Sequence, residues 1–257
     1  MFFFPLRDDN PTQRRPIISY LILAICVLVF GWQLSLGALQ HDAVVAFGMI
    51  PARLFGYAVA EQLPYQTIGW VTVFTSMFMH GGFMHLAGNM LYLWIFADNI
   101  EDSLGRVRFI IFYLLCGVGA ALAQASMDVQ SLTPMIGASG AIAGVLGGYL
   151  LLHPRANVRC VAGFFIFFRV INVPAFIVLG IWIGLQFINL GQTGSGIAYL
   201  AHIGGFAAGM VLIPFFKKAD VPLFNKPQSR AFEVTQTIRP AEHIPTIRRA
   251  RQNPWDE

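Results

Sequence analysis

Apolar positions dominate long stretches of this chain, and the first of them sets the scale. Ile17 to Leu36 runs twenty residues without Asp, Glu, Lys or Arg, the length a helix needs to cross the hydrocarbon core of a bilayer. Five more stretches follow, at about 80–97, 109–126, 135–152, 170–190 and 197–216. The second is the least apolar, because it carries His80, His85 and Asn89; the last four contain no Asp, Glu, Lys or Arg. Two further apolar runs, Ile68 to Met79 and Val161 to Phe168, are too short to span and read as interfacial or re-entrant segments. The pattern predicts an all-α membrane protein: a cytoplasmic segment over 1–16, six transmembrane helices within 17–216, and a tail over 217–257. The tail has five prolines, mixed charge and no sustained apolar period, so it reads as disordered.

Arg14-Arg15-Pro16 before the first stretch raises the question of a signal peptide. The apolar run is long for one and no small-x-small cleavage site follows, so it reads as a retained anchor. The long connection 37–79, rich in aromatic residues and poor in charge, reads as a structure lying on the outer leaflet.

Composition agrees with this picture and narrows the function classes. Hydrophobic residues make up 56% and charged residues 12%, against about 25% charged in an average soluble domain. That excludes most soluble-enzyme and nucleic-acid-binding readings. The net charge of +4 matters less than its placement. With the N-terminus inside, sixteen of the seventeen Lys and Arg residues face the cytoplasm and only Arg53 lies outside, the asymmetry expected of a membrane protein with an even number of spans. Without transit-peptide character, the chain suits a prokaryotic cytoplasmic membrane with both termini inside. Cys26, Cys116 and Cys160 form neither a disulfide framework nor a zinc pattern, and nothing calls for a metal or cofactor. The absence of an internal repeat removes the usual support for a transporter.

Polar groups at membrane depth are costly and mark function or close pairing. In the six-span topology the second, fourth and sixth spans all start at the outer face. His85, Ser139 and His202 then lie four or five residues into their spans, roughly 6–8 Å below each helix start at 1.5 Å per residue. Asn89 follows His85 by one helical turn on the same face. Gly140, Gly144 and Gly148 form a stripe after Ser139, and Gly205 and Gly209 a matching one after His202. Such stripes let helix backbones approach closely, which would bring Ser139 and His202 within hydrogen-bonding reach. Serine needs a base to become nucleophilic, and His202 is one. The oxyanion formed on attack needs donors, for which the Ser139 backbone N–H and the His85 and Asn89 side chains are candidates. Asp98, Glu101 and Asp102 sit at the far end of the second span, so the sequence offers a Ser-His dyad without a carboxylate.

The motifs are His80-Gly81-Gly82-Phe83-Met84-His85-Leu86-Ala87-Gly88-Asn89, Gly137-Ala138-Ser139-Gly140 and Ala201-His202-Ile203-Gly204-Gly205, with Glu101 and Gly105 between the first two. In this order and spacing they resemble the rhomboid intramembrane serine proteases over residues 65–216. The resemblance implies a rhomboid-like bundle, Ser139 as nucleophile, His202 as general base, and His85 and Asn89 at the oxyanion. It also implies a fifth span that acts as a lateral gate, bearing Trp182 and Phe187, and single-span membrane proteins as substrates. Two positions depart from the family pattern. Ala143 stands where many members carry a tyrosine packed on the catalytic histidine, leaving Tyr199 or Phe206 to hold the ring. Trp70 is followed by Val71 and Thr72 rather than by the family's arginine. The alternative reading is a catalytically inactive rhomboid-like protein that binds membrane clients.

Overall fold

The computed structural model describes residues 2–164, 167–192 and 196–226. It is mostly helical. In chain order the helices are α1 (Ile17–Ser35), α2 (Gln40–Phe47), α3 (Pro51–Phe55), α4 (Gly69–Ser76), α5 (Phe83–Leu104), α6 (Arg106–Ala125), α7 (Ser139–Leu152), α8 (Ala175–Ile188) and α9 (Tyr199–Phe216). Three of them, α1, α6 and α9, are long and apolar enough to cross a membrane; α7 and α8 are apolar but shorter. The 22-residue α5 ends in Glu101, Asp102, Ser103 and Leu104, so its last turn is polar.

The helices alternate in direction. The end of α1 meets the start of α5 through Gln33, whose amide accepts from the His80 N–H at 3.0 Å and donates to the His80 carbonyl at 3.1 Å. The start of α1 meets the end of α5 through Glu101. One of its carboxylate oxygens accepts from the Ile18 N–H at 3.0 Å, and the other from the Ser19 N–H and hydroxyl, both at 2.8 Å. A carboxylate at a helix N-terminus satisfies orphan amides and complements the helix dipole. The molecule thus has an N-terminal end, marked by Glu101, and an opposite end, marked by Ser139.

The tightest packing joins α7, α9 and α6. Its basis is the glycine stripes. A methyl group at Gly205 would lie 2.0 Å from the Gly140 carbonyl oxygen, and one at Gly209 1.9 Å from that of Gly144. The α7 and α9 backbones touch, with no room for any side chain. Gly204 meets Ala123 and Gly119 of α6 in the same way, a third face that the sequence reading did not include.

Several expectations need correction. Of Val161 to Phe168, expected as an interfacial apolar run, residues 161–164 and 167–168 fall in strands. β2 (Asn157–Phe164) and β3 (Phe167–Pro174) form an antiparallel hairpin, and β1 (Phe2–Asp8) pairs with β2 to complete a three-stranded sheet. The run is rich in β-branched and aromatic residues, the composition of strands, and is too short for apolarity alone to separate strand from buried helix. Val170 to Pro174, assigned to the fifth span, belongs to β3; α8 begins only at Ala175, after Pro174, whose ring ends the ladder. The segment 135–138, assigned to the fourth span, is a connection bridged to Met49, and α7 starts at Ser139. The first part of the tail packs on the N-terminal end: the Lys218 N–H donates to the Ser103 carbonyl at 3.0 Å and the Phe224 N–H to the Leu151 carbonyl at 2.8 Å. The rest of the tail, where disorder was expected, lies outside the described residues.

Arg53, the lone basic residue of the 37–79 connection, is buried and holds that connection together. Its guanidinium donates to the carbonyls of Val45 at 3.0 Å and Tyr65 at 2.9 Å, and burial lowers its proton affinity. A charge out of place by sequence count is a local clamp.

Candidate functional site

A cleft of about 1120 Å³ opens at the Ser139 end, and His85, Asn89, Ser139, Trp182 and His202 all line it. Four independent helices deliver these groups. Phe187, grouped with Trp182 at the sequence level, does not line it and is 59% exposed on another side of α8.

Ser139 is the first residue of α7. Its backbone N–H is therefore one of the four that a helix start leaves without an internal acceptor. The preceding Gly137 is fixed by its N–H donating to the Ser76 carbonyl at 2.9 Å. Its φ of 132° belongs to glycine territory, and a Cβ there would lie 2.8 Å from His85 Nε2 and 3.6 Å from Ser139 Oγ. Glycine at 137 lets the His85 ring and the Ser139 hydroxyl share one small space.

The tautomer of His85 follows from its partner. The Gly81 N–H donates to His85 Nδ1 at 3.3 Å. A neutral imidazole that accepts at Nδ1 carries its proton at Nε2, the nitrogen beside Gly137 and Ser139. The Asn89 Nδ2 is buried and unpartnered within the protein. Two side-chain donors and one backbone donor therefore converge on the cleft near Ser139. The buried Asn89 donor costs stability while it is uncommitted, and converging donors are what a site for a developing anion requires.

His202 is held from α8. Its Nδ1 lies 2.8 Å from the Gln186 side-chain oxygen, and its ring lies 5.7 Å from the Trp182 ring at 34°. Phe206, one turn after His202 on α9, also stacks on Trp182, at 6.3 Å. The group beside the imidazole is thus Trp182, with Gln186, rather than the expected Tyr199 or Phe206. Among the described residues no hydrogen bond joins the Ser139 hydroxyl to His202, although both line the same cleft. Gln186 was missed by the sequence reading, which looked for a carboxylate. The available signal was that Gln186 is the one amide in the apolar run of α8 and lies one turn after Trp182.

No group of three His, Cys, Asp or Glu side chains suited to a metal occurs among the described residues. The three cysteines are buried and unpaired.

The family model for the rhomboid domain matches residues 68–219, which contain every residue named in the cleft. The chain is 31% identical over 221 residues to the rhomboid protease GluP of Bacillus subtilis, covering 85% of this chain and 37% of that one. It is 27% identical over 197 residues to YdcA of the same organism, covering 77% of this chain and 86% of that one. It is 29% identical over 160 residues to the mitochondrial rhomboid protein 1 of Saccharomyces cerevisiae, covering 58% of this chain and 42% of that one.

Proposed function

The chain belongs to the rhomboid family, and we propose that it is an intramembrane serine endopeptidase, cleaving peptide bonds in or near the transmembrane segments of single-span proteins. The observation that carries this reading is the convergence of a serine at a helix start, a histidine and three donors on one cleft. Relatives named as rhomboid proteases support it. Six helices, α1, α5, α6, α7, α8 and α9, span the bilayer in this proposal. The termini are cytoplasmic and the Ser139 end faces outward, in keeping with the basic residues on the N-terminal side.

In the mechanism Ser139 Oγ attacks the substrate carbonyl as His202 Nε2 takes its proton. The bond to the leaving nitrogen breaks as the imidazolium returns that proton, leaving an acyl-enzyme. Water, deprotonated by His202, then attacks the ester carbonyl and frees Ser139. The anion formed in each half meets the Ser139 N–H, His85 Nε2–H and the Asn89 amide. The Ser139–His202 contact closes on substrate binding, since catalytic hydrogen bonds are often long without substrate.

The test uses the purified protein with a fluorescent fluorophosphonate and with a single-span reporter in lipid. Labelling and cleavage by the wild type, both lost in Ser139→Ala and His202→Ala, are expected. Cleavage retained in Ser139→Ala refutes the reading. A protein that binds the reporter but neither labels nor cleaves is a client-binding rhomboid-like protein.

A further inference from the structure

We propose that Gln186 is a positioning residue for His202, completing a Ser139–His202–Gln186 relay whose third member sits on α8. The inference rests on the protease reading above and adds a residue to it. The Gln186 amide is oriented from its other end. Its nitrogen donates to the Trp182 carbonyl at 2.9 Å. A carbonyl can only accept, so the amide nitrogen must face Trp182 and the amide oxygen must face His202. That oxygen accepts and cannot donate, so the proton on the imidazole lies on Nδ1. His202 Nε2 is left bare, the form a general base needs. Two hydrogen bonds thereby fix both the ring's orientation and its tautomer, without any charge. Gln186 is buried, which shields this arrangement from competing water.

An amide suits this depth better than a carboxylate. An ionised carboxylate in an apolar setting is heavily penalised or takes up a proton; an amide delivers an acceptor oxygen of fixed polarity at lower cost. The arrangement also couples α8 to the chemistry. Trp182 and Gln186 lie one turn apart on one face of α8 and are its two holds on His202. Any displacement of α8 frees the imidazole, so the base is set only when α8 rests against α9. The other titratable side chains that line the cleft with His202 are His85 and Tyr92 of α5 and Asp128 of the connection before α7.

The experiment compares wild type, Gln186→Leu and Gln186→Glu in lipid with the single-span reporter, measuring kcat and KM from pH 5 to 9, alongside fluorophosphonate labelling. General-base catalysis contributes about 10²–10⁴-fold, so loss of orientation in Gln186→Leu is expected to lower kcat roughly 10–100-fold, with KM within about twofold and an unchanged unfolding midpoint. Gln186→Glu keeps an acceptor oxygen whether or not it is ionised and is expected to retain kcat. A Gln186→Leu variant with wild-type kcat, or one whose loss lies wholly in KM, overturns the proposal while labelling of Ser139 upholds the protease reading. Should Gln186→Leu fail to fold, Gln186→Met, which keeps the side-chain length without the acceptor oxygen, takes its place, and wild-type kcat in that variant overturns the proposal. Labelling that survives in Ser139→Ala overturns the protease reading instead.

Discussion

The two ends of the bundle treat polar groups in opposite ways. At the N-terminal end they are engaged with one another. Glu101 accepts three hydrogen bonds from the start of α1. Asp102 accepts from the Gln13 N–H at 2.7 Å, and Asp8 from the Tyr149 hydroxyl at 2.6 Å and the Asn99 amide at 2.8 Å. At the Ser139 end donors stand open: the Asn89 amide nitrogen is unpartnered, and no hydrogen bond joins Ser139 to His202 among the described residues. A fully satisfied polar cluster rigidifies a fold, whereas an unsatisfied one stores a cost that only a ligand or transition state recovers. The difference separates the residues that hold the molecule together from those that act.

The largest effect that sharpens this contrast is expected from Ser139→Ala. It should reduce reporter cleavage by about 10⁴–10⁶-fold while the thermal midpoint stays within experimental scatter. A large fall in midpoint would make Ser139 a structural residue and break the comparison. Next comes Asn89→Ala, which removes an open donor. Cleavage should fall about 10²–10³-fold, with stability unchanged or slightly raised, because a buried unsatisfied group disappears. Glu101→Ala should do the reverse. Stripping three charge-assisted hydrogen bonds from the start of α1 costs about 2–3 kcal/mol of stability, read by denaturant or thermal unfolding, with the fluorophosphonate reaction of the folded fraction unchanged.

The smallest effect concerns pH. Burial raises the Asp8 carboxyl to about 7, reinforced by the charges of Asp98 and Asp9 and opposed by the hydrogen bond from Tyr149. A carboxyl whose native value lies above its ordinary one binds its proton more tightly when folded. Its contribution is full below about pH 4 and is lost as pH rises through about 7. Asp8→Asn should remove this share of the pH dependence, seen as a flatter midpoint between pH 4 and 8. An unaltered slope would show that Asp8 titrates alike in folded and unfolded chains.

Much of the cleft was legible because its causes are local. A helix places His85 and Asn89 one turn apart whatever surrounds it, and the glycines after Ser139 and His202 advertise a backbone contact that the structure contains, with Gly205 against Gly140 and Gly209 against Gly144. What was not legible depends on distant partners. Gln186 matters only through where its oxygen falls relative to His202, and no local pattern encodes that. The strands were hidden for a related reason. An eight-residue apolar run does not announce whether it will pair, and β2 owes its form to neighbours on both sides, one of them β1 near the start of the chain. Arg53 illustrates a third case: counting charges located it on the outer side, but only its carbonyl partners explain why it is there.

That sheet bears on how the molecule is made. Phe2 pairs with Gly163, so β1 is synthesised about 160 residues ahead of its partner, a delay of roughly 8–30 s at typical translation rates. Throughout that interval β1 is a strand without a ladder, open to pairing with whatever edge comes near. The closing of the sheet cannot precede synthesis of the β2 segment, so this contact of high sequence separation is a late step in assembly. A bulky fusion placed directly before Phe2 would therefore burden the end of folding rather than its beginning.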